Sequence, residues 1–297
     1  GLEALLILRF MTGFFLAGIY PVGMRIAAGW YRQGLGRALG YLVGALVVGP
    51  AFPHLVRSSG AELPWQQVIV GVSILAAGGG FAMLLAVPDG PHLSAGSVFN
   101  PRVLGLIFRS RRFRASAFGY FGHMWELYTL WAFIPVWLLA YTASRDVSLN
   151  IPLWSFLAIA AGFLGCAGGG LFSNRFGSAP VATAQLAVSG LCCLLAPFMF
   201  SAGPVPLLAF LLLWGVTVVG DSPQFSALNA ANAPREYVGS ALTIVNSLGF
   251  LITVFSIQLA SSLLPLIGAQ YLFWLLIPGP LLGLLAMRPL LGDKSSA

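Results

Sequence analysis

Long apolar runs recur along the whole chain, and each is close to the length of about 20 residues that a helix needs to cross a lipid bilayer. Charged residues make up only 8% of the 297 residues, whereas soluble domains carry roughly 25%. The runs are continuously apolar and do not alternate as the strands of a membrane barrel do, which favours helices. We therefore predict an all-α polytopic membrane protein. Its nine predicted spans are 3–29, 36–57, 66–88, 115–142, 151–173, 179–200, 204–228, 238–263 and 268–291.

The basic residues follow alternate spans, and the opposite set of loops holds only Arg57 and Arg145. The positive-inside rule therefore predicts that the basic loops and the C-terminus are cytoplasmic and that Gly1 lies outside. The membrane is expected to be the plasma membrane, which is the inner membrane of a bacterium. The basic residues behind the net charge of +7 are distributed as this topology predicts, so the charge does not indicate nucleic-acid binding. The basic residues on the predicted cytoplasmic side are Arg32, Arg37, Arg102, Arg109, Arg111, Arg112, Arg114, Arg175, Arg235, Arg288 and Lys294.

The longest polar interruption, at residues 89–114, divides the predicted spans into three and six. It begins with turn-forming residues and ends with arginines, which is typical of a cytoplasmic linker between two bundles, here residues 1–88 and 115–297. We expect the arginines to contact anionic lipid headgroups. The first span begins outside and lacks the features of a signal peptide, so we expect an odd number of spans before Gly1. We expect the protein to be a monomer.

Three short motifs resemble those of the major facilitator superfamily. The stretch RFMTGFFLAGIYPVG, residues 9–23, is similar to the fourth-helix motif of that family, with Arg9 in the arginine place and Gly13 and Gly18 in the small places. The stretch GALVVGP, residues 44–50, resembles the fifth-helix glycine–proline motif. The stretch GLFSNRFGS, residues 170–178, resembles the loop motif between helices eight and nine.

The resemblance implies a secondary transporter built from two six-helix bundles, in which the chain corresponds to helices four to twelve. Within the loop motif, Arg175 matches the family pattern, whereas Asn174 replaces the usual acid and Ser178 the final base. The charge-pair latch of this motif is therefore expected to be weakened. We assign Asn174 and Arg175 to a gate on the cytoplasmic side.

The stretch GHMWELYTLW, residues 122–131, places two ionisable residues inside a predicted span. Glu126 lies about 16 Å into that span, and His123 is one turn away on the same face. An ionisable group at this depth needs a cavity or a partner. One interpretation is that Glu126 binds and releases protons, that His123 relays them, and that Tyr128 and Trp131 line the same cavity. The other is a static hydrogen-bonded pair that locks two helices.

Three further polar residues within the predicted spans have open roles. Asp221 is followed by Pro223, which should kink the helix, so Asp221 is either part of a gate or the cap of a broken helix. Arg9 either contributes to coupling or solute binding, as the resemblance implies, or extends to the outer interface beside Glu3. Asn246 either contacts solute or hydrogen-bonds to a neighbouring helix.

The predicted function is proton-coupled transport of a small organic solute by alternating access. An intramembrane protease is disfavoured, because Asp221 is the only aspartate within a predicted span and no H-E-x-x-H motif is present. No metal site, cofactor or catalytic residue is expected, and the cysteines lack metal-ligand spacing. The alternative is a sensor or scaffold relative that does not transport. Solute-dependent proton uptake would distinguish the two.

The predicted topology can be tested with reporter fusions at Ser110 and Gly203. Because the arginines follow alternate spans, we expect the reporter at Ser110 to be cytoplasmic and the reporter at Gly203 to be external. A fusion partner that is active on only one side of the membrane measures this directly. Reporters that lie on the same side at both positions would contradict the topology.

Overall fold

The computed structural model describes residues 2–16, 19–31, 34–60, 64–92 and 103–291. Within these ranges the chain is helical and contains no β-strand, so the all-α prediction is confirmed. The positions of Gly18, Arg32, Arg102 and Lys294 lie outside the described residues. The helices are α1 (Leu2–Leu16), α2 (Ile19–Trp30), α3 (Leu35–Ser58), α4 (Trp65–Ala86), α5 (Val103–Ile107), α6 (Arg111–Arg145), α7 (Ile151–Ala160), α8 (Gly162–Phe176), α9 (Ser178–Phe200), α10 (Pro204–Gly220), α11 (Ser222–Asn232), α12 (Val238–Tyr271) and α13 (Pro278–Leu291).

Seven helical stretches of the described chain are long and apolar enough to cross a membrane. The difference from nine has two causes. The first predicted span comprises α1 and α2, each of them too short, and the last two predicted spans run on without a gap from Val238 to Leu291. Gly268 divides that stretch, because its φ of 75° and ψ of 160° are not helical. The count of nine spans stays a prediction.

Local sequence sets the ends of the longest helices. The hydroxyl of Ser110 accepts a hydrogen bond from the backbone N–H of Phe113 at 3.3 Å, which caps the start of α6. Asp146 ends α6 in the left-handed conformation, with φ 51°. The side chain of Asn150 then accepts from the N–H of Leu153 at 3.0 Å and starts α7. These caps fix where α6, the helix of His123 and Glu126, begins and ends.

The helix pair α7–α8 lies between α3 and α10, and glycines allow a close approach on both sides. A Cβ atom at Gly40 would lie 2.6 Å from the carbonyl oxygen of Cys166 and 3.4 Å from the Cα of Gly170. On the other side, a Cβ atom at Gly165 would overlap the carbonyl oxygen of Val216. Small residues at such contacts let helix backbones pack together in a membrane. The α3–α8 contact joins the two predicted bundles.

Most of the core lies in the helices that follow the linker. Trp137, Trp214 and Phe273 are fully buried, and the Trp214 and Phe273 rings meet edge to face with centroids 5.1 Å apart. From the residues before the linker, α3 also contributes buried side chains to this cluster, whereas α1 and α4 have no buried residues. An apolar helix without buried side chains contacts lipid or a further helix. The division into residues 1–88, 89–114 and 115–297 stays a prediction.

The glycine contacts generate a matched pair of substitutions in α8. Gly165→Ala should lower the free energy of unfolding by about 1–3 kcal/mol, because the added methyl group overlaps backbone atoms of α10. Gly168→Ala should raise it by about 0.5–1 kcal/mol, because a Cβ atom there meets no atom within 4 Å and alanine favours the helix. Denaturation of the purified protein in detergent measures both. Equal effects at the two positions would contradict the packing.

Candidate functional site

Asp221 lies at the break between α10 and α11, deep among the helices that follow the linker. Pro223 follows it at the start of α11, and the N–H of Phe225 donates to the Asp221 carbonyl oxygen at 2.9 Å. The side chain of Asp221 makes no capping hydrogen bond to α11. The interpretation of Asp221 as a helix cap is therefore wrong. Its carboxylate is fully buried and points to another helix instead.

The partner of Asp221 is His123 on α6. Nδ1 of His123 and Oδ1 of Asp221 are 2.8 Å apart, and both side chains are buried. The rings of Tyr120 and Phe225 flank the imidazole, with centroid distances of 5.8 and 5.9 Å. Nε2 of His123 and Oδ2 of Asp221 have no hydrogen-bond partner among the described residues. The pair therefore leaves one buried polar atom on each side chain without a partner among the described residues.

Glu126 is held by a different set of donors. The Nε1–H of Trp214 on α10 donates to Oε1 of Glu126 at 2.8 Å, and the hydroxyl of Ser189 on α9 donates to the same oxygen. Glu126 therefore fastens α6 to α9 and α10. His123 and Glu126 do not pair with each other, because their side chains reach different neighbouring helices. Each is only 1% exposed, so neither faces an open cavity in this structure.

The aromatic residues predicted to line a cavity pack towards α12. The Tyr128 ring lies 5.3 Å from that of Trp131 and 5.5 Å from that of Phe250. Trp131 is buried and Tyr128 is half-buried. Asn246 is also buried on α12, at 9% exposure. These residues lie on α6 and α12, among the same group of helices as the His123–Asp221 contact.

The other predicted site residues lie at the periphery. Arg9 is exposed on α1, so it does not belong to the buried cluster of His123. Asn174 and Arg175 are exposed in the last turn of α8. The Arg175 guanidinium lies 5.3 Å from the ring centroid of Phe176, a cation–π distance. The assignment of Asn174 and Arg175 to a gate stays a prediction.

Several polar contacts were not predicted from the sequence. Ser189 and Trp214 bind Glu126, the hydroxyls of Thr129 and Ser256 meet at 2.7 Å, and Gln224 is fully buried. Serine, threonine and tryptophan are common in apolar spans, so nothing in their local sequence marks them. The short polar run at residues 221–226 was the one available signal for Gln224.

Long apolar helices packed around a buried histidine–carboxylate contact define a multi-pass membrane protein. The chain belongs to the Major Facilitator Superfamily, whose sequence profile matches residues 1–257. The resemblance carried by the three sequence motifs is thereby confirmed. A comparison with characterised proteins by sequence finds no significant match.

Two solved structures share the fold. The human organic anion transporter MFSD10 (TETRAN) is 17% identical with a TM-score of 0.62, and the match covers 89% of this chain and 66% of that one. A bacterial homologue of the iron transporter ferroportin, in an outward-facing state, is 18% identical with a TM-score of 0.52. That match covers 69% of this chain and 51% of that one. The chain thus spans about half to two thirds of the length of these relatives.

The donors to Glu126 can be tested by stability. Ser189→Ala should lower the free energy of unfolding by about 0.6 kcal/mol, typical of a hydrogen bond between helices in a membrane. Ser155→Ala is the control, because its buried hydroxyl donates to Ile151 within its own helix. Unfolding in detergent should therefore show a larger decrease in the free energy of unfolding for Ser189→Ala than for Ser155→Ala. No difference between the two variants would argue against the fastening role of Glu126.

Proposed function

We propose that the protein is a proton-coupled secondary transporter of a small organic solute, and that His123 and Asp221 together carry the proton. The observation that supports this most is the buried 2.8 Å contact between them at the break between α10 and α11. Ionisable residues within membrane spans are rare and mark proton or substrate pathways. The proposed location is the plasma membrane, the inner membrane in a bacterium, with the C-terminus in the cytoplasm.

Glu126 is the less suitable proton carrier of the two acids. Its Oε1 accepts hydrogen bonds from Trp214 and Ser189, and both bonds would weaken if the carboxyl group were protonated there. Asp221 and His123 each keep an unpartnered atom. A proton can therefore arrive at the pair without displacing an existing contact. We assign Glu126 to holding α6 in place and not to coupling.

Protonation can be converted into movement because the pair joins two helices. With the imidazole charged and the carboxylate ionised, α6 and α11 attract each other at 2.8 Å across a medium of low dielectric constant. Loss of the imidazole proton would leave an unpaired carboxylate in that medium, which is unfavourable. The bundle would then relax by opening towards water. Proton binding and release would thus bias the two states of an alternating-access cycle.

The predicted bundles contact each other at both ends of the molecule. At the end where α6 begins, α2 contacts α12 and α3 contacts α11. At the other end, the side-chain amide of Asn150 donates to the carbonyl oxygen of Ser58 at 3.3 Å, where α7 packs against α3. An alternating-access cycle would open one of these two ends at a time.

The solute class is proposed from aromatic side chains on α6, the helix that carries His123. Trp125, Tyr128 and Trp131 offer apolar faces with polar edges, which suits an amphipathic organic molecule. Between residues 115 and 291, arginines occur only at the ends of helices and in loops, so this part of the sequence offers no paired-arginine clamp for small inorganic anions. The described residues also contain no group of histidine, cysteine and acidic residues suited to a metal ion.

Coupling can be tested by measuring solute flux and pH change together in vesicles reconstituted with the full-length protein. Asp221→Asn keeps the size of the side chain but cannot ionise, so it should abolish solute-driven proton uptake and leave downhill solute flux. Glu126→Gln is the matched control, and its proton stoichiometry should be unchanged. If Glu126→Gln loses coupling and Asp221→Asn keeps it, Glu126 is the carrier. Proton-independent flux in all variants would reject the coupling, and no flux in any would favour the sensor or scaffold.

A further inference from the structure

One face of α11 is polar although it is buried. Gln224 is 0% exposed, and neither atom of its amide has a hydrogen-bond partner among the described residues. Asn229 is 2% exposed, and its Oδ1 likewise has no partner. The unpartnered Oδ2 of Asp221 belongs to the same helix face. In native proteins, buried polar atoms are almost always hydrogen-bonded to protein or to ordered water.

These residues lie on one broad side of the helix. At about 100° per residue, positions 221, 224, 229 and 232 fall within an arc of about 140°, which Phe225 and Leu228 share. This side reaches the surface at Asn232, whose Oδ1 accepts a hydrogen bond from Nε of Arg112 at 3.2 Å. Arg112 lies at the start of α6 and is partly exposed. The polar face of α11 therefore connects the buried His123–Asp221 pair with the linker side of the molecule.

We propose that this face binds a file of water molecules that carries protons between the linker side and the His123–Asp221 pair. The role of this water file as the route of the coupled proton rests on the proposed function. The presence of water at this face does not depend on that function. The Gln224 amide offers both a donor and an acceptor and carries no charge. It can orient water without trapping a proton. Each water in the file accepts a proton from one neighbour and donates a proton to the next. One O–H bond therefore forms for each O–H bond that breaks.

Water fits this face better than the organic solute does. Gln224 and Asn229 are enclosed, and the Phe225 ring between them is itself fully buried. Polar atoms that lie too far apart for a direct hydrogen bond are commonly bridged by single waters.

The test is the reaction of introduced cysteines with silver ions, which are close to water in size. We expect Gln224→Cys and Asn229→Cys to react at least tenfold faster than Val245→Cys. Val245 is the matched control, because it is 0% exposed and packs in the same cluster as Phe225 but is apolar. The unsubstituted protein corrects for its own thiols, Cys166, Cys192 and Cys193, which are all buried.

A blocking substitution tests whether the sites form a route. Adding Asn229→Leu to Gln224→Cys should slow the silver reaction at least tenfold, because leucine fills the same volume without binding water. Adding Gln270→Leu, at the other end of the bundle, should not slow it. Rates equal to that of Val245→Cys, or rates that Asn229→Leu leaves unchanged, would overturn the proposal.

The two proposals fail separately. Fast silver reactions together with normal coupling in Asp221→Asn would reject the coupling role and keep the hydrated face. Slow reactions together with lost coupling in Asp221→Asn would reject the hydrated face alone. Melting temperatures of the cysteine variants close to that of the parent protein would show that the reactions report the folded state.

Discussion

A carboxylate buried among apolar helices is unfavourable unless a partner compensates it, and the arrangement around Asp221 follows from this constraint. The break between α10 and α11 places Asp221 opposite His123, and the contact can form only if α6 keeps its position. The hydrogen bonds from Trp214 and Ser189 to Glu126 hold α6 in that position. Glu126 thus stabilises the position of α6 in which the buried Asp221 has His123 as its partner.

Glycine contacts provide the frame in which these polar groups meet. Gly40 brings α3 against α8, and Gly165 with Gly215 brings the α7–α8 pair against α10. Such backbone contacts leave little freedom for helices to shift singly. Movement between states is therefore expected to involve groups of helices, with the α3–α8 contact as the surface between them. The glycine contacts and the polar contacts therefore depend on the same positions of the helices.

The sequence predicted the class of fold well, because hydrophobic length and the placement of arginines depend on local composition. It also located Glu126, His123 and Asp221 as unusual residues. It could not predict their partners. Whether His123 meets Glu126 one turn away or Asp221 on a distant helix depends on how α6 and α11 rotate in the packed bundle. Ser189 and Trp214 were missed for the same reason, since the role of each is defined only by its contact.

Gly268 has a consequence for how the gene can vary. Its backbone, with φ 75° and ψ 160°, links the two parts of the last helical stretch, and a residue with a Cβ atom is disfavoured there by about 1–3 kcal/mol. Every missense change of a glycine codon introduces a side chain, so no neutral substitution is available at this position. A site with free space around it can still be intolerant of mutation when the constraint lies in the backbone. Variant effects in this protein will therefore not follow burial alone.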